Sequence, residues 1–121
     1  MFKMTNRQAK LRCEMKGCHV VVFITFPSKE EAYKVSKKLV EEKLAACVNV
    51  VDKVRSFFVF QGKFEECDEA LAVIKTRLEA LQRLIEVVRS MHSYSVPEVI
   101  AVPIIAGHED YLRWVDESVK V

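Results

Sequence analysis

Two long β-rich runs separated by one glycine constrain the fold of this chain more than any other feature. The runs extend from Cys47 to Phe60 and from Lys63 to Thr76, with Gln61-Gly62 between them. This pattern predicts a β-hairpin. Each run holds about 14 residues, or roughly 46 Å at about 3.3 Å per residue, whereas a usual strand has about 5–6 residues. The sequence therefore predicts a hairpin longer than one small domain can cover.

The first of these runs is apolar on one face, and its second face is also partly apolar. Residues of one parity are Val48, Val50, Val54, Phe58 and Phe60. Val51, Phe57 and Val59 place apolar groups on the opposite face. The second run begins with acidic residues and ends with the apolar stretch Ala70 to Ile74. A strand with two apolar faces favours contact with a further layer of protein.

Length and composition limit the classes of protein to which the chain can belong. A chain of 121 residues, half of them hydrophobic, predicts one domain with a sizeable core. The net charge of +2 argues against a dedicated nucleic-acid surface. No apolar run approaches the roughly 20 residues of a membrane span. We therefore expect neither nucleic acid nor a membrane as a partner.

The first 17 residues show no clear period and are predicted to be an N-terminal tail, with the domain at 18–121. The tail lacks the apolar segment of a secretory signal peptide. Four cysteines in such a chain indicate reduced thiols and a cytoplasmic location. Because four basic residues precede the first acid, an organelle-targeting segment remains an alternative to a basic tail. These residues are Lys3, Arg7, Lys10 and Arg12.

The remaining patterns place strands and helices around the hairpin. The apolar run Cys18 to Phe26 predicts a strand buried on both faces. Ser28 and Glu31 have capping-box spacing and predict the start of a helix of about 17 residues. Thr76 and Glu79 repeat that spacing before a second helical pattern. The run Val99 to Ala106 predicts a strand, which Pro103 restricts to an edge or a bulge. Apolar residues from Tyr111 to Val119 then indicate a short closing helix.

The predicted element order is β-α-β-β-α-β followed by a terminal helix, which is an α+β, ferredoxin-like split βαβ arrangement. It places the first strand and the second hairpin strand at the centre of the sheet. The first hairpin strand and the run from Val99 become edges. Exposed edges and an overlong hairpin favour a closed symmetric oligomer. The alternative is a hairpin that folds back on its own sheet.

Five motifs in order resemble those of the CutA divalent-cation tolerance family, over about Val20 to Val119. They are Leu44-Ala45-Ala46-Cys47-Val48-Asn49, Gly62-Lys63, Ile74-Lys75-Thr76, His92-Ser93-Tyr94-Ser95-Val96-Pro97-Glu98 and Tyr111-Leu112-Arg113-Trp114. The resemblance implies a ferredoxin-like homotrimer linked to divalent metal tolerance, with copper the metal most often named. The chain departs from the family pattern at Phe60, where a Trp is usual, and at Ser93 and Ser95, which replace the Pro and Glu of His-Pro-Tyr-Glu.

Candidate metal ligands are His92, Met91, Cys47 and Cys67, because thioether, imidazole and thiolate groups suit copper, Cu(I) especially. The resemblance to bacterial relatives implies further ligands, a His and a Cys, at positions that carry Met91 and Ile24 here. That ligand set does not transfer intact. Cys47 is more typical of a small buried hydrophobe than of a ligand, and Cys67 is more typical of a solvated acidic strand end. No closed four-ligand site is visible, so the fold is expected to need no cofactor.

A second hypothesis is a small anion or metabolite held in a pocket between subunits. Its polar groups would be Lys75, His92, Tyr94 and Glu98, with Phe60 packed beside them. Three glycines leave no Gly-rich phosphate loop, and no catalytic Ser or Cys motif is present. The chain is therefore predicted to be no enzyme. The two hypotheses are a metal-responsive homotrimer and a trimer that binds a small ligand.

Overall fold

The computed structural model describes residues 18–121, whose core lies between a four-stranded antiparallel sheet and the helices on one of its faces. The strands are β1 (His19–Phe26), β2 (Cys47–Phe60), β3 (Lys63–Arg77) and β4 (Val99–Pro103). The helices are α1 (Lys29–Glu41), α2 (Leu81–Met91) and α3 (Glu109–Ser118), with a 3-10 turn at Leu78–Ala80. The sheet order is β2-β3-β1-β4, so β1 and β3 are central as predicted. The predicted tail, 1–17, lies outside the described residues.

Strand β1 forms the middle of the core because its apolar run alternates between the two faces of the sheet. Val22, Ile24 and Phe26 point to the helices and are fully buried. Val21 and Phe23 point to the opposite face and are only half-buried. A single chain therefore buries only the helix-facing side of β1. The sequence had predicted that both sides of this strand would be buried.

Helix α1 begins as predicted but ends earlier. The Ser28 side chain accepts a hydrogen bond of 3.2 Å from the Glu31 backbone N–H, which caps the first turn. The helix has 13 residues rather than about 17. Lys43 adopts the left-handed region at φ 59° and turns the chain out of the helix. Leu44 remains buried at 1% exposure because its N–H returns to the Leu39 carbonyl.

The second predicted capping box, Thr76 with Glu79, is wrong. The Thr76 hydroxyl donates a buried hydrogen bond of 2.6 Å to the Leu44 carbonyl oxygen. Strand β3 continues to Arg77, and α2 starts only at Leu81, after the 3-10 turn. Thr76 therefore ties β3 to the segment after α1 and caps no helix.

The hairpin has the predicted length, with 14 residues in β2 and 15 in β3. Gln61 at φ 53° and Gly62 at φ 76° form its two-residue turn, and two successive left-handed residues are typical of type I′. The ladder is irregular between Val51 and Val54, where β2 carries an extra residue as a β-bulge. We call residues 54–69, beyond the bulge, the distal arm. Its apolar side chains are largely exposed: Phe57, Phe58, Val59, Phe60 and Phe64.

Strand β4 forms one edge of the sheet, and helix α3 adds Val115 to the core. Strand β4 pairs only with β1 and stops at Pro103, three residues before the predicted end at Ala106. Helix α3 is held by a hydrogen bond of 2.8 Å between the His19 ring Nε2 and Asp116 Oδ1. None of the helices within 18–121 is long and apolar enough to cross a membrane.

Candidate functional site

The loop after α2, residues 92–98, is anchored to the end of β1 by His92. The backbone N–H of His92 bonds to the Val88 carbonyl and ends the helix. Its imidazole stacks on the Phe26 ring, with centroids 4.7 Å apart. The ring Nε2 lies 2.7 Å from the Thr25 carbonyl oxygen. His92 is only 8% exposed, although the sequence placed it in a polar loop.

Both ring nitrogens of His92 are engaged by protein groups. Nδ1 lies 3.1 Å from the Tyr94 backbone N–H, which can only donate. Nε2 faces a carbonyl oxygen, which can only accept. In this arrangement Nε2 donates to the Thr25 carbonyl and Nδ1 accepts from the Tyr94 N–H, and Glu31 Oε2 lies 3.5 Å from Nδ1. In this conformation, a metal ion would have to displace one of the two hydrogen bonds to reach His92.

Tyr94 and Ser56 converge on the buried carboxylate of Glu69. The Tyr94 hydroxyl donates to Glu69 Oε2 at 2.7 Å, and the Ser56 hydroxyl donates to Oε1 at the same distance. Glu69 is 9% exposed and takes part in none of the ion pairs found within 18–121. Burial, and then the Glu69 carboxylate, raise the pKa of Tyr94. The hydroxyl therefore stays protonated and serves as a donor at neutral pH.

A cavity of about 700 Å³ opens between the distal arm and this loop. Its side chains include three phenylalanines, a tyrosine and two acids: Phe57, Phe58, Phe60, Tyr94, Glu69 and Glu98. Phe60, Tyr94 and Glu98 are three of the five residues predicted to form a pocket. Among residues 18–121, no lysine, arginine or histidine lines it. This described part of one chain therefore offers no basic group to an anion in the cavity.

Lys75, the predicted basic group of the pocket, lies elsewhere in the single chain. Its amine donates a hydrogen bond to the Asn49 side-chain oxygen, which lies 3.8 Å from the Cys47 sulfur. Lys75 and Cys47 are register partners on β3 and β2. Lys75 is six residues from Glu69 along β3, or about 20 Å at the usual rise. A meeting of Lys75 with Tyr94 or Glu98 across subunits stays a prediction.

The four predicted metal ligands occupy three separate places in one chain. Met91 and His92 are at the end of α2, Cys47 is at the start of β2, and Cys67 is in the distal arm. Cys47 and Cys67 are free and half-buried. Burial, and then Glu69, raise the pKa of the Cys67 thiol. Among residues 18–121, no group of three or more His, Cys, Asp or Glu side chains could hold a metal ion.

Sequence patterns did not single out Glu69, Ser56 or Phe57 as site residues. Glu69 ends an acidic run and was grouped with solvated acids, whereas the structure buries it beneath Tyr94. One available signal was its position directly before the buried Ala70. Glu69 is the acid of its run that directly precedes the buried apolar segment, and it is buried with that segment.

A family model described as CutA1 divalent ion tolerance protein matches residues 20–118. The chain belongs to this family. A divalent-cation tolerance protein CutA of Archaeoglobus fulgidus is 43% identical over 102 residues, covering 84% of this chain and 99% of the relative. The chloroplastic protein CutA of Arabidopsis thaliana is 44% identical over 101 residues. That match covers 84% of this chain but only 56% of the Arabidopsis protein.

Solved structures of CutA proteins have the same fold. The crystal structure of CutA1 from Oryza sativa superposes with a TM-score of 0.83 at 42% identity, covering 85% of this chain and 94% of that one. The Archaeoglobus fulgidus structure, described as a periplasmic divalent cation tolerance protein, gives a TM-score of 0.82 at 43% identity. That match covers 84% of this chain and 99% of that one. These structures agree with the assignment of this chain to the CutA family.

Proposed function

We propose that this protein acts in tolerance of divalent cations as a non-enzymatic homotrimer in the cytoplasm, and that it binds copper directly. The observation that carries the proposal is the match of residues 20–118 to the CutA1 family. The relatives from Archaeoglobus fulgidus and Thermus thermophilus are named divalent-cation tolerance proteins, and neither name is that of an enzyme. The ferredoxin-like arrangement expected of such a trimer agrees with the sheet order β2-β3-β1-β4.

Assembly is supported by the apolar surface that one chain leaves uncovered. The distal arm exposes its phenylalanines, and Val59 is 70% exposed. The edge strand β4 presents Ile100 and Val102, which are 52% and 42% exposed. An apolar edge strand and an apolar arm are surfaces that pair with another chain. A trimer would use the arm of one subunit to cover the edge of the next.

Copper binding by a trimer would draw on more than one subunit. Cys47, Cys67, Met91 and His92 offer two thiols, a thioether and an imidazole, all of which suit copper. They lie apart within one chain, so a site with several of them needs contributions from neighbouring subunits. Because the thiols must lose their protons to bind a metal, copper affinity should fall as the pH is lowered.

The assembly is tested by light scattering on the purified protein. The expected mass is three times the chain mass of 13.9 kDa. A chain that remains monomeric at micromolar concentration would contradict the trimer and, with it, any copper site between subunits.

Direct copper binding is tested by calorimetric titration of the apo protein with Cu(I) under anaerobic conditions. Cys67→Ser and Cys47→Ser should each weaken binding by at least about tenfold if their thiolates are ligands. His108→Ala serves as the control, because His108 is exposed and lies outside the predicted ligand set. Unchanged affinity in both cysteine variants would remove the thiols from the site. Absence of any copper binding would make the role in tolerance indirect.

A further inference from the structure

We propose that Glu69 forms an ion pair with Lys75 of a neighbouring subunit. Because this contact lies between subunits, it rests on the proposed trimer. Each subunit gives its Glu69 to one neighbour and its Lys75 to the other, and the pair fixes the register in which the subunits assemble.

Glu69 and Lys75 lie on the same face of β3, opposite to the helices. Side chains alternate along a strand, and the residues of the other parity, Ala70, Ala72 and Ile74, are fully buried in the core. Six residues separate the acid from the amine, or about 20 Å at the usual rise. The two charged groups of one chain therefore do not meet each other.

The face that carries these two charges is otherwise largely apolar and is not fully covered by its own chain. Its apolar residues are half-buried or exposed: Val21, Phe23, Leu71, Val73, Ile100 and Val102. A sheet face of this composition favours a further layer of protein. In the trimer, the neighbouring subunits supply that layer, and assembly then withdraws both charged groups from water.

Lys75 needs an acid once this face is covered. Its amine donates a hydrogen bond to the uncharged side chain of Asn49, and its register partners are Cys47 and Val21. Lys75 takes part in none of the ion pairs found within 18–121. An ammonium group withdrawn from water is stable only beside an anionic partner.

Glu69 is the matching acid toward the other end of the face. Its two oxygens accept hydrogen bonds from the hydroxyls of Ser56 and Tyr94, and neither of these partners carries a charge. Each oxygen keeps a lone pair for a further donor, and an ammonium group supplies N–H donors together with the positive charge. A lysine from a neighbouring subunit therefore completes the set of partners around this carboxylate.

Lys63 is the other lysine of the hairpin that forms no ion pair in the described part of the chain. It lies beside Gly62 at the exposed turn, where water solvates its amine. It is six residues from Glu69 along β3, or about 20 Å, so it does not neutralise that acid within one chain. Lys75 is half-buried on the apolar face, and its need for an anionic partner on assembly is greater.

The separation of the two charges also fits the symmetry of a ring. An acid toward one end of the face and an amine at the other join unlike ends of successive subunits, so the interface is heterologous. Heterologous contacts that close on themselves produce a cyclic oligomer, and three copies make the proposed trimer.

A double-mutant cycle on the full chain tests the pair. Glu69→Gln and Lys75→Gln each leave one buried charge without its partner, and each should raise the protein concentration at which the trimer dissociates by at least about tenfold. Changes more than about 10 Å apart usually act independently. Because the two sites of one chain are farther apart than this, any coupling between them arises across the interface.

The double variant Glu69→Gln/Lys75→Gln should therefore dissociate no more readily than a single variant, rather than about a hundredfold more readily than the wild type. Light scattering on a dilution series, with urea at one fixed concentration to bring dissociation into range, gives these values. A double variant whose effect is the product of the two single effects would overturn the pair.

Lys63→Gln is the matched control and should act independently of Glu69→Gln. Coupling of Lys63 to Glu69 would assign the acid to the wrong lysine here and overturn the proposal. If Glu69→Gln fails to fold, Lys75→Arg decides, because it keeps the charge and should dissociate within about threefold of the wild type, unlike Lys75→Gln. Equal losses in these two variants would also overturn it. A monomeric wild type contradicts the trimer itself, whereas a trimeric wild type with independent effects contradicts the ion pair alone.

Discussion

The Tyr94 hydroxyl lies 2.7 Å from the Glu69 carboxylate, so a loop residue after α2 supplies a hydrogen bond to an acid of the hairpin. The two residues are 25 positions apart in the chain. Through this bond, the loop 92–98 holds the base of the distal arm. The same bond holds the Glu69 carboxylate in the lining of the cavity between the arm and the loop.

Tyr94→Phe should lower the free energy of unfolding by about 1–2 kcal/mol, because it removes a donor from a buried carboxylate and leaves the ring in place. Urea denaturation measures this change. Tyr33→Phe is the matched control: its hydroxyl bonds to Asp52 in an exposed position, and its loss should cost less than about 0.5 kcal/mol. Equal losses in the two variants would show that the buried bond contributes nothing beyond an exposed one.

Alkaline pH should destabilise the protein through its tyrosines. Burial and a nearby acid raise the pKa of Tyr94 above the ordinary 10.0, and the pKa values of Tyr33 and Tyr111 are also raised. The folded state therefore holds protons that the unfolded chain releases above about pH 10. The stabilisation is complete below that pH and is lost as the pH rises further. Denaturation at several alkaline pH values should show a steeper loss in the wild type than in Tyr94→Phe, and parallel curves would exclude this role for Tyr94.

His92→Ala should destabilise the fold by about 2–4 kcal/mol. The substitution removes a buried ring that stacks on Phe26 and leaves the Thr25 carbonyl and the Tyr94 N–H without their partner. Thermal or urea denaturation gives the value. His108→Ala should remain within about 0.5 kcal/mol of the wild type, because the His108 side chain is exposed and makes no cap hydrogen bond to α3. A small effect at His92 would mean that the loop has other anchors.

The hairpin turn should respond to substitutions with opposite signs. Gly62→Ala should lower the free energy of unfolding by about 1 kcal/mol, because φ at this position is 76°, a value that alanine rarely adopts. A Cβ added here would have no atom within 4 Å, so no steric clash adds to this cost. Gln61→Asn should stabilise by a few tenths of a kcal/mol, because asparagine tolerates the left-handed region better. Chemical denaturation of both variants checks this. Two changes of the same sign would rule out the left-handed backbone as the cause.

Local patterns in the sequence predicted the hairpin, its turn and the order of the elements. They failed where a distant group decides the outcome. Thr76 has the spacing of a helix cap, but its hydroxyl bonds to Leu44, 32 residues away. Helix α1 ends where Lys43 turns the chain, although the apolar period continues to Leu44. The cavity depends on the contact of Tyr94 with Glu69, and no single stretch contains both residues.

The bulge between Val51 and Val54 separates two parts of the hairpin that differ in how easily they open. On the core side of the bulge, β3 pairs with both β2 and β1 and contacts α1. Beyond it, the distal arm is a two-stranded ladder, and such a ladder is only marginally stable by itself. Amide protons near Phe58 and Glu65 should therefore exchange with solvent far faster than those near Ile74. A second subunit that covers the arm would slow this exchange, so deuterium uptake along 54–69 measures assembly at the level of single amides.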